Sequence, residues 1–191
     1  MDLTILVNKE HLLDKNYVPD DLIEIHEPTG KKIDETYINR LNKEAYLNFK
    51  EMQLDALKNG YEIFVDSSYR TYQYQVRVFE SLKEEKGEEY AKLFVAPPGG
   101  SEHQTGLAVD IIFRRNGEMI EEQLETDPEI IWLFNNSYKY GFILRYPKGK
   151  EDITHFSFEP WHFRYVGKDR AKEIYEQDIT FEEYHSLVLR R

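Results

Sequence analysis

The sequence predicts an α+β fold, in which a central, mainly antiparallel sheet is flanked by helices. Three observations lead to this prediction. Apolar residues recur at intervals of three and four residues in several long segments, which is the period of an amphipathic helix. Short apolar runs lie in clusters between these segments and are typical of strands. The links between these runs are short and hairpin-like, which favours antiparallel pairing over the helical crossovers of a parallel sheet.

The first half of the chain contains three predicted helices. The first is indicated by an apolar stripe and ends at Gly60. The second is capped by Thr71 and runs to about Lys86, with Gly87 as its stop. A short helix follows over residues 88–94. The stripe of the first helix consists of Ile38, Leu41, Ala45, Phe49, Met52 and Ala56.

The strands are predicted from short apolar runs between turn residues. The strand over residues 107–113 follows the loop 96–100, whose glycines and prolines break both regular patterns. Arg115, Asn116 and Gly117 predict a hairpin-like turn after this strand. The other predicted strands cover residues 61–65, 142–145 and 161–166.

Further helices are predicted in the second half of the chain. Residues 128–140 have a helical pattern that closes on Gly141. Two more helices are predicted at the C-terminus. The second opens with a capping box, in which Thr180 and Glu183 satisfy each other's backbone donors. No internal repeat or Pro/Ser-rich linker divides the chain, so residues 1–191 are predicted to form one domain.

Composition restricts the classes of function that the protein can have. Hydrophobic residues make up 40% and charged residues 32%, which is a normal balance for a globular protein with a buried core. The chain contains no cysteine, so any metal must be held by His, Asp and Glu. The formal net charge of −11 argues against nucleic-acid binding, which requires a basic surface.

The N-terminal segment carries no export signal in this sequence. Residues 3–7 are apolar, but Asn8, Lys9 and Glu10 follow at once. A secretory signal needs roughly 7–15 apolar residues and a membrane-spanning helix about 20. The expectation is therefore a cytoplasmic protein without a transmembrane segment.

Two short segments, far apart in the chain, predict a metal site. The first contains His103 and Asp110, and the second contains Glu159 and His162. Two neutral imidazole nitrogens and one carboxylate oxygen form a ligand set that a catalytic Zn²⁺ accepts, with a fourth position left for water. Glu159 is the candidate base for that water. The two segments therefore predict a zinc hydrolase.

The predicted strands allow these residues to meet. Asp110 lies inside an apolar strand, where a carboxylate is costly unless it is paired or coordinated. His162 enters the next predicted strand and could meet Asp110 from there. Pro160 biases Glu159 to an extended conformation, so the helical His-Glu-x-x-His site of many metalloproteases is excluded.

Each of these residues also has an ordinary explanation. Asp110 could cap a loop or pair with Arg114, and His103 could be a surface histidine. Glu159 could be a surface carboxylate, and His162 could pack among aromatic residues. Taken one at a time, these explanations are at least as common as a metal site, and only the combination of the two segments favours a metal.

A third segment leads from a strand end into a helix. Arg70 offers a planar guanidinium that can hold a carboxylate through two hydrogen bonds. Gln75, one turn into the helix, could add an amide contact. By itself, however, the segment fits an ordinary surface ion pair of Arg70 better.

Together the three segments resemble the zinc D,D-peptidases of the VanY and VanX type, including the bifunctional VanXY proteins. The matching motifs are Ser-x-His-x-x-Gly-x-Ala-x-Asp at 101–110, Glu-x-x-His at 159–162, and Tyr69-Arg70 followed by Gln75. The resemblance implies the fold that these peptidases share with the Hedgehog signalling domain. The likeness extends over most of the chain and is strongest over residues 94–110, 140–147 and 158–167.

The resemblance implies a role for each motif residue. It makes one zinc ion per chain the cofactor, with His103, Asp110 and His162 as ligands. It makes Glu159 the catalytic base and places Arg70 as a catalytic residue near the scissile carbonyl. The residues expected to bind substrate are Ser101, Gln75, Trp161, Ser67 and Tyr69.

The resemblance also implies a substrate. It predicts hydrolysis of the D-Ala-D-Ala dipeptide and removal of the terminal D-Ala from peptidoglycan precursor pentapeptides, which would confer vancomycin resistance. Ser67 stands where some VanXY members have Asp and is more like the VanY carboxypeptidases, which leaves open whether dipeptide or longer peptide is preferred. Two alternatives are an L,D-carboxypeptidase or endolysin-type peptidase on the same fold, and a non-catalytic zinc-binding module.

Overall fold

The computed structural model describes residues 2–26 and 39–188, and shows helices together with antiparallel sheets, which confirms the predicted α+β class. The strands are β1 (Leu22–Glu24), β2 (Arg40–Asn42), β3 (Glu62–Ser67), β4 (Ala108–Arg115), β5 (Glu118–Ile120), β6 (Phe142–Leu144) and β7 (His162–Tyr165). The α-helices are α1 (Lys43–Lys58), α2 (Tyr72–Lys86), α3 (Glu88–Phe94), α4 (Pro128–Asn136), α5 (Glu151–Thr154), α6 (Lys168–Gln177) and α7 (Phe181–Val188). Two 3-10 turns cover Glu102–Thr105 and Ser137–Tyr140.

The larger sheet has five strands and is antiparallel throughout. Its order is β3-β4-β7-β6, and β5 pairs with β4 through a tight hairpin. Asn116 and Gly117 of this hairpin both have positive φ angles, of 54° and 87°, as a two-residue turn of this kind requires. β1 and β2 form a separate two-stranded sheet. The predicted central antiparallel sheet is therefore confirmed.

The first helix is shorter than predicted. α1 begins at Lys43, because the side chain of Asn42 accepts a hydrogen bond from the Ala45 amide and caps the helix. Leu41 belongs to β2 rather than to the helix. Ile38 lies outside the described residues. The other positions of the apolar stripe are buried as predicted, namely Ala45, Phe49, Met52 and Ala56.

The helix predicted over residues 128–140 consists of two parts. α4 ends at Asn136, and the chain then tightens into a 3-10 turn before Gly141, which is common at helix ends. Gly141 has a φ of 84°, and a Cβ there would lie 2.6 Å from the Tyr165 ring, so packing also requires glycine. The elements β1, β2, β5 and α5, each of three or four residues, were not predicted, because none of them forms an apolar run between turn residues.

The register of β4 brings separate segments of the predicted site together. Asp110 is paired with His162 of β7 on one side and with Ser67 of β3 on the other. The register of β3 shifts just before Ser67, which is a bulge of the kind that redirects side chains near functional sites. The neighbours Val109 and Ile111 point into the hydrophobic core, as the alternation of the strand predicted.

Two hydrophobic cores hold these elements together. The larger is formed by the buried faces of α1, α4 and the strands β3, β4, β6 and β7. The smaller packs α6 and α7 against β6. Burial of each large apolar side chain in such a core contributes about 1.5–3 kcal/mol. Within residues 2–26 and 39–188, no helix is long and apolar enough to cross a membrane.

The capping box predicted at the start of α7 is present. The Thr180 amide donates to Glu183 Oε2 at 2.8 Å, and the Glu183 amide donates to Thr180 Oγ1 at 3.2 Å. We expect Thr180→Ala to lower the free energy of unfolding by about 1 kcal/mol, measured by urea denaturation. Ser186→Ala, at an exposed position of the same helix, is the control and should change it by less than about 0.5 kcal/mol. An equal loss in both variants would argue against the cap.

Candidate metal centre and active site

The three predicted metal ligands meet beside the paired strands β4 and β7. His103, Asp110 and His162 are buried, and one ligand atom from each lies within 4.8 Å of the other two. Asp110 Oδ1 is 3.3 Å from His103 Nε2 and 3.0 Å from His162 Nδ1. Ligand atoms of a tetrahedral Zn²⁺ site with bonds of about 2.0–2.1 Å are separated by about 3.3 Å. The donor set and its spacing therefore fit this metal.

The orientation of His103 is set by the backbone of a neighbouring segment. His103 lies on the 3-10 turn that precedes β4, and Gly106 ends this turn with a φ of 67°. His103 Nδ1 lies 2.6 Å from the carbonyl oxygen of Ser68. Because a carbonyl can only accept, this nitrogen carries the proton, and Nε2 is left to face Asp110. Such a contact fixes the tautomer of a metal-ligating histidine.

The ordinary explanations of Asp110 and His103 do not match the structure. Arg114 pairs with Glu62 instead of Asp110, and His103 is buried instead of lying at the surface. Asp110 receives a hydrogen bond of 2.8 Å from Arg70 Nη2. A carboxylate in an apolar strand is thus surrounded by one guanidinium and two imidazoles, which is compatible with metal ligation.

Burial and the surrounding charges together explain the pKa shifts of the cluster's members. Burial lowers the pKa of His103 to about 4, and Arg70 adds to this effect. Burial alone would raise the pKa of Asp110, but His103, His162 and Arg70 hold it well below its usual range. Burial likewise opposes protonation of His162, yet Asp110 and Glu102, which face its ring, raise the pKa to about 9. The carboxylates thus make the centre attractive to a cation.

Glu159 lies at the entrance of β7 and faces the same cluster. Its Oε2 atom is 3.9 Å from His162 Nδ1, and 21% of its side chain is exposed. The segment around Pro160 is not helical, as predicted. Burial raises the pKa of Glu159 to about 7, although the nearby His162 opposes the shift. A carboxyl group with a pKa close to neutral can accept a proton and return it at physiological pH.

Arg70 is held against the cluster by two side chains. Its Nε and Nη2 atoms both donate to Ser67 Oγ, at 3.1 and 2.8 Å, and Nη2 also donates to Asp110. The exposed fraction of the Arg70 side chain is 18%. The alternative of an ordinary surface ion pair is therefore wrong, since the carboxylate that Arg70 contacts is buried.

A cavity of about 860 Å³ opens over the cluster and joins all three predicted segments. Ser67 and Tyr69 are not part of its lining. Ser67 supports Arg70 from behind, and Tyr69 is buried in the protein. The predicted site residues that do line the cavity are Arg70, Gln75, Ser101, His103, Asp110, Glu159, Trp161 and His162.

Two residues in contact with His162 were missed by the sequence analysis. The Tyr146 ring stacks on the imidazole with ring centroids 4.9 Å apart. Glu102 Oε2 lies 3.6 Å from His162 Nε2. Tyr146 gave no signal beyond its aromatic character. Glu102 did give one, because it is an acidic residue that directly precedes His103 inside the motif.

Comparison with known sequences places the chain in a family. The family model VanY, described as D-alanyl-D-alanine carboxypeptidase, matches residues 38–168. The protein YodJ of Bacillus subtilis (strain 168), provisionally named a carboxypeptidase, is 47% identical over 189 residues. The match covers 98% of this chain and 68% of YodJ.

Comparison with solved structures gives the same result. The LD-carboxypeptidase LdcB superposes with a TM-score of 0.85 and 46% identity, over 95% of this chain and 84% of that chain. A mutant of the vancomycin-resistance D,D-pentapeptidase VanY in complex with Zn(II) superposes with a TM-score of 0.80 and 32% identity. That match covers 96% of this chain and 99% of the other. The chain therefore belongs to the VanY family of D-alanyl-D-alanine carboxypeptidases.

Proposed function

We propose that this protein is a zinc-dependent D,D-carboxypeptidase that removes the terminal D-Ala from peptidoglycan precursor pentapeptides, with D-Ala-D-Ala hydrolysis as a weaker activity. One observation carries the proposal. The His103–Asp110–His162 cluster shares a single cavity with Glu159 and Arg70. A carboxylate base and a cationic donor beside three ligands are what hydrolysis of an amide at a metal centre requires.

The proposed cofactor is one zinc ion held by His103, Asp110 and His162. When bound, zinc supplies Lewis-acid polarisation of the scissile carbonyl and lowers the pKa of a water molecule from about 15.7 towards about 7. The relative with a solved zinc complex supports this choice of metal. The absence of cysteine supports this ligand set, since no thiolates compete with it for zinc.

Glu159 transfers the protons in this proposal, and Arg70 stabilises the negative charge on the carbonyl oxygen. Glu159 accepts a proton from the attacking water and later returns it to the nitrogen of the leaving D-Ala. Arg70 donates a hydrogen bond to the carbonyl oxygen as negative charge develops there. In enzymes that use such a donor, it stabilises the transition state by about 2.7–4 kcal/mol. Ser67 acts indirectly, since it holds the Arg70 guanidinium.

The remaining substrate contacts are assigned from the cavity lining. Ser101, Gln75 and Trp161 line the cavity. Gln75 Nε2 donates to the Ala96 carbonyl at 2.8 Å, and its Oε1 atom is buried without a hydrogen-bond partner among the described residues. This oxygen is therefore available to accept a hydrogen bond from a bound peptide. Tyr69, which is buried away from the cavity, has no direct role in this proposal.

The size of the cavity favours a longer peptide over the free dipeptide. A volume of about 860 Å³ lies near the upper end of the range that encloses most of a drug-sized ligand. A dipeptide with two methyl side chains would fill only part of it. We therefore expect the pentapeptide to be the better substrate of the two.

A comparison of three peptides tests the proposal. We expect kcat/KM to be highest for a pentapeptide that ends in D-Ala-D-Ala, lower for the free dipeptide, and lowest for the tetrapeptide. The assay should follow release of D-Ala by protein with a measured zinc content. A protein without activity on any peptide at full zinc loading would support a non-catalytic zinc-binding module instead.

The second candidate is an L,D-carboxypeptidase, which would remove D-Ala from the tetrapeptide. The 46% identity to the LD-carboxypeptidase LdcB favours this candidate, because it exceeds the 32% identity to the D,D-pentapeptidase. Both activities need the same ligands, base and oxyanion donor, and they differ in the residue that the cavity must accept before the final D-Ala. Preference for the tetrapeptide in the same assay would decide for L,D activity.

One broader proposal depends on this activity. If the protein acts on precursors in the cytoplasm, it removes the D-Ala-D-Ala end that vancomycin binds. Expression in a susceptible host should then raise the inhibitory concentration of vancomycin and deplete pentapeptide precursors.

We also propose that residues 1–191 form one domain, which would give a single cooperative unfolding transition.

A further inference from the structure

We propose that Glu102 is a positioning residue, which orients His162 and strengthens it as a metal ligand. The inference rests on the zinc site of the proposed function, but it concerns metal binding rather than peptide hydrolysis. Glu102 is buried, with no exposed side-chain surface, on the 3-10 turn that also carries His103. Neither the ligand set nor the proposed proton transfers use its carboxylate.

The contact between Glu102 and His162 joins two polar atoms that have no other partner. Glu102 Oε2 and His162 Nε2 are both buried, and neither has a hydrogen-bond partner within 3.5 Å among the described residues. They face each other at 3.6 Å. On the other side of the ring, His162 Nδ1 faces Asp110 Oδ1 at 3.0 Å. The imidazole thus presents one nitrogen to the ligand cluster and the other to Glu102.

The second oxygen of Glu102 is held by two arginines. Arg145 Nε donates to Oε1 at 2.8 Å, and Arg164 Nη1 donates to the same atom at 2.9 Å. Both arginine side chains have no exposed surface. Because both guanidiniums bind Oε1, they fix the carboxylate in place and leave Oε2 to the imidazole.

This buried cluster is balanced in charge without a contribution from His162. Arg145 also donates to both oxygens of Glu182 on α7, at 2.9 and 2.6 Å. Arg164 also donates to backbone carbonyls of the N-terminal segment. Two guanidiniums therefore face two carboxylates. With a metal bound, a neutral imidazole with its proton on Nε2 would complete the arrangement and leave the Nδ1 lone pair for the metal.

A purely structural role would not require these charges. Buried ion pairs are costly to desolvate, and apolar groups of similar volume often give equal or greater stability. A carboxylate that accepts from the outer nitrogen of a metal-ligating histidine has a specific effect instead. It fixes the tautomer and raises the basicity of the ligand, and its loss typically weakens metal binding about 10- to 100-fold.

Two variants form a matched test. Glu102→Gln and Glu182→Gln each remove one negative charge from the same buried cluster, but only the first changes the group that faces His162. We expect Glu102→Gln to weaken zinc binding about 10- to 100-fold in a chelator competition assay. Glu182→Gln should leave zinc affinity within about threefold of the wild type, since it lacks this contact. Equal losses in the two variants, or no loss in a folded Glu102→Gln protein, would overturn the proposal.

Two further measurements distinguish the proposed positioning role from a folding defect. Glu102→Asp keeps the negative charge for both arginines but draws the carboxylate away from His162, and the same loss of zinc affinity is expected. In the zinc-loaded wild-type protein with ¹⁵N-labelled histidine, NMR spectra should show zinc on His162 Nδ1 and an exchange-protected proton on Nε2. Zinc on Nε2, or a rapidly exchanging proton there, would contradict the proposal. None of these measurements uses a peptide, so a failure of the proposed peptidase activity would be recognised separately.

Discussion

Glu159→Ala is expected to lower kcat on the pentapeptide by about 10²- to 10⁴-fold, which is the usual contribution of a positioned general base. The variant should still bind one zinc ion per chain, because His103, Asp110 and His162 are unchanged. The physical reason is that the attacking water loses its proton acceptor and the leaving D-Ala loses its proton donor. Steady-state kinetics and metal analysis on the same preparation would measure both quantities.

Glu176→Gln is a suitable control for this experiment. Glu176 is an exposed carboxylate on α6, and among the described residues it pairs only with Lys172, in an i,i+4 contact. The kcat of the Glu176→Gln variant should therefore equal that of the wild type. Full activity of Glu159→Ala would exclude Glu159 as the base. Loss of zinc from Glu159→Ala would mean that the side chain contributes to metal binding, and its assigned role would then be wrong.

Asp110→Asn is expected to weaken zinc binding by more than about 100-fold. Loss of a residue that only hydrogen-bonds to a metal ligand costs about 10- to 100-fold, and loss of a ligand itself should cost more. Asparagine preserves the size of the side chain but removes the negative charge that a zinc ligand supplies. It also leaves Arg70 without the carboxylate that it contacts at 2.8 Å. Zinc content after dialysis, and activity as a function of added zinc, would measure the effect.

Glu62→Gln provides the matched control for Asp110→Asn. Glu62 lies on β3 and pairs with Arg114 of β4, so both variants neutralise a carboxylate that lies on this pair of strands and contacts an arginine. The Arg114–Glu62 pair is more than one-third exposed, so its loss should cost less than about 1 kcal/mol and leave zinc binding unchanged. Equal zinc content in Asp110→Asn and the wild type would remove Asp110 from the ligand set.

The elements with a cap or a stop in the sequence were predicted well. Thr71 caps α2 through the Tyr74 amide, and Gly87 ends that helix, as the sequence indicated. The largest error was at the start of α1. Leu41 continues the helical period, but it pairs with Ile23 in the small sheet. Periodicity cannot detect such a pairing, because it depends on Ile23, which lies 18 residues earlier in the chain.

The candidate site was predictable where a residue type was unusual for its surroundings. A carboxylate inside an apolar strand, such as Asp110, has few inexpensive explanations. Glu102 gave a weaker signal, because its place beside His103 in the motif does not reveal which groups surround it. The role inferred for Glu102 became visible only when Arg145, Arg164 and His162 were seen around it.

By itself, the sequence determined which chemistry was available and to which family its motifs belong. It contains no thiol, it places histidine and carboxylate in two short motifs, and it excludes a helical metalloprotease site through Pro160. These are properties of residue type and local conformation. Only the tertiary structure decided which atoms meet. Asp110 and His162 are 52 residues apart, and their contact follows from the antiparallel register of β4 and β7. Register and packing arise from the whole core, so no local pattern specifies them.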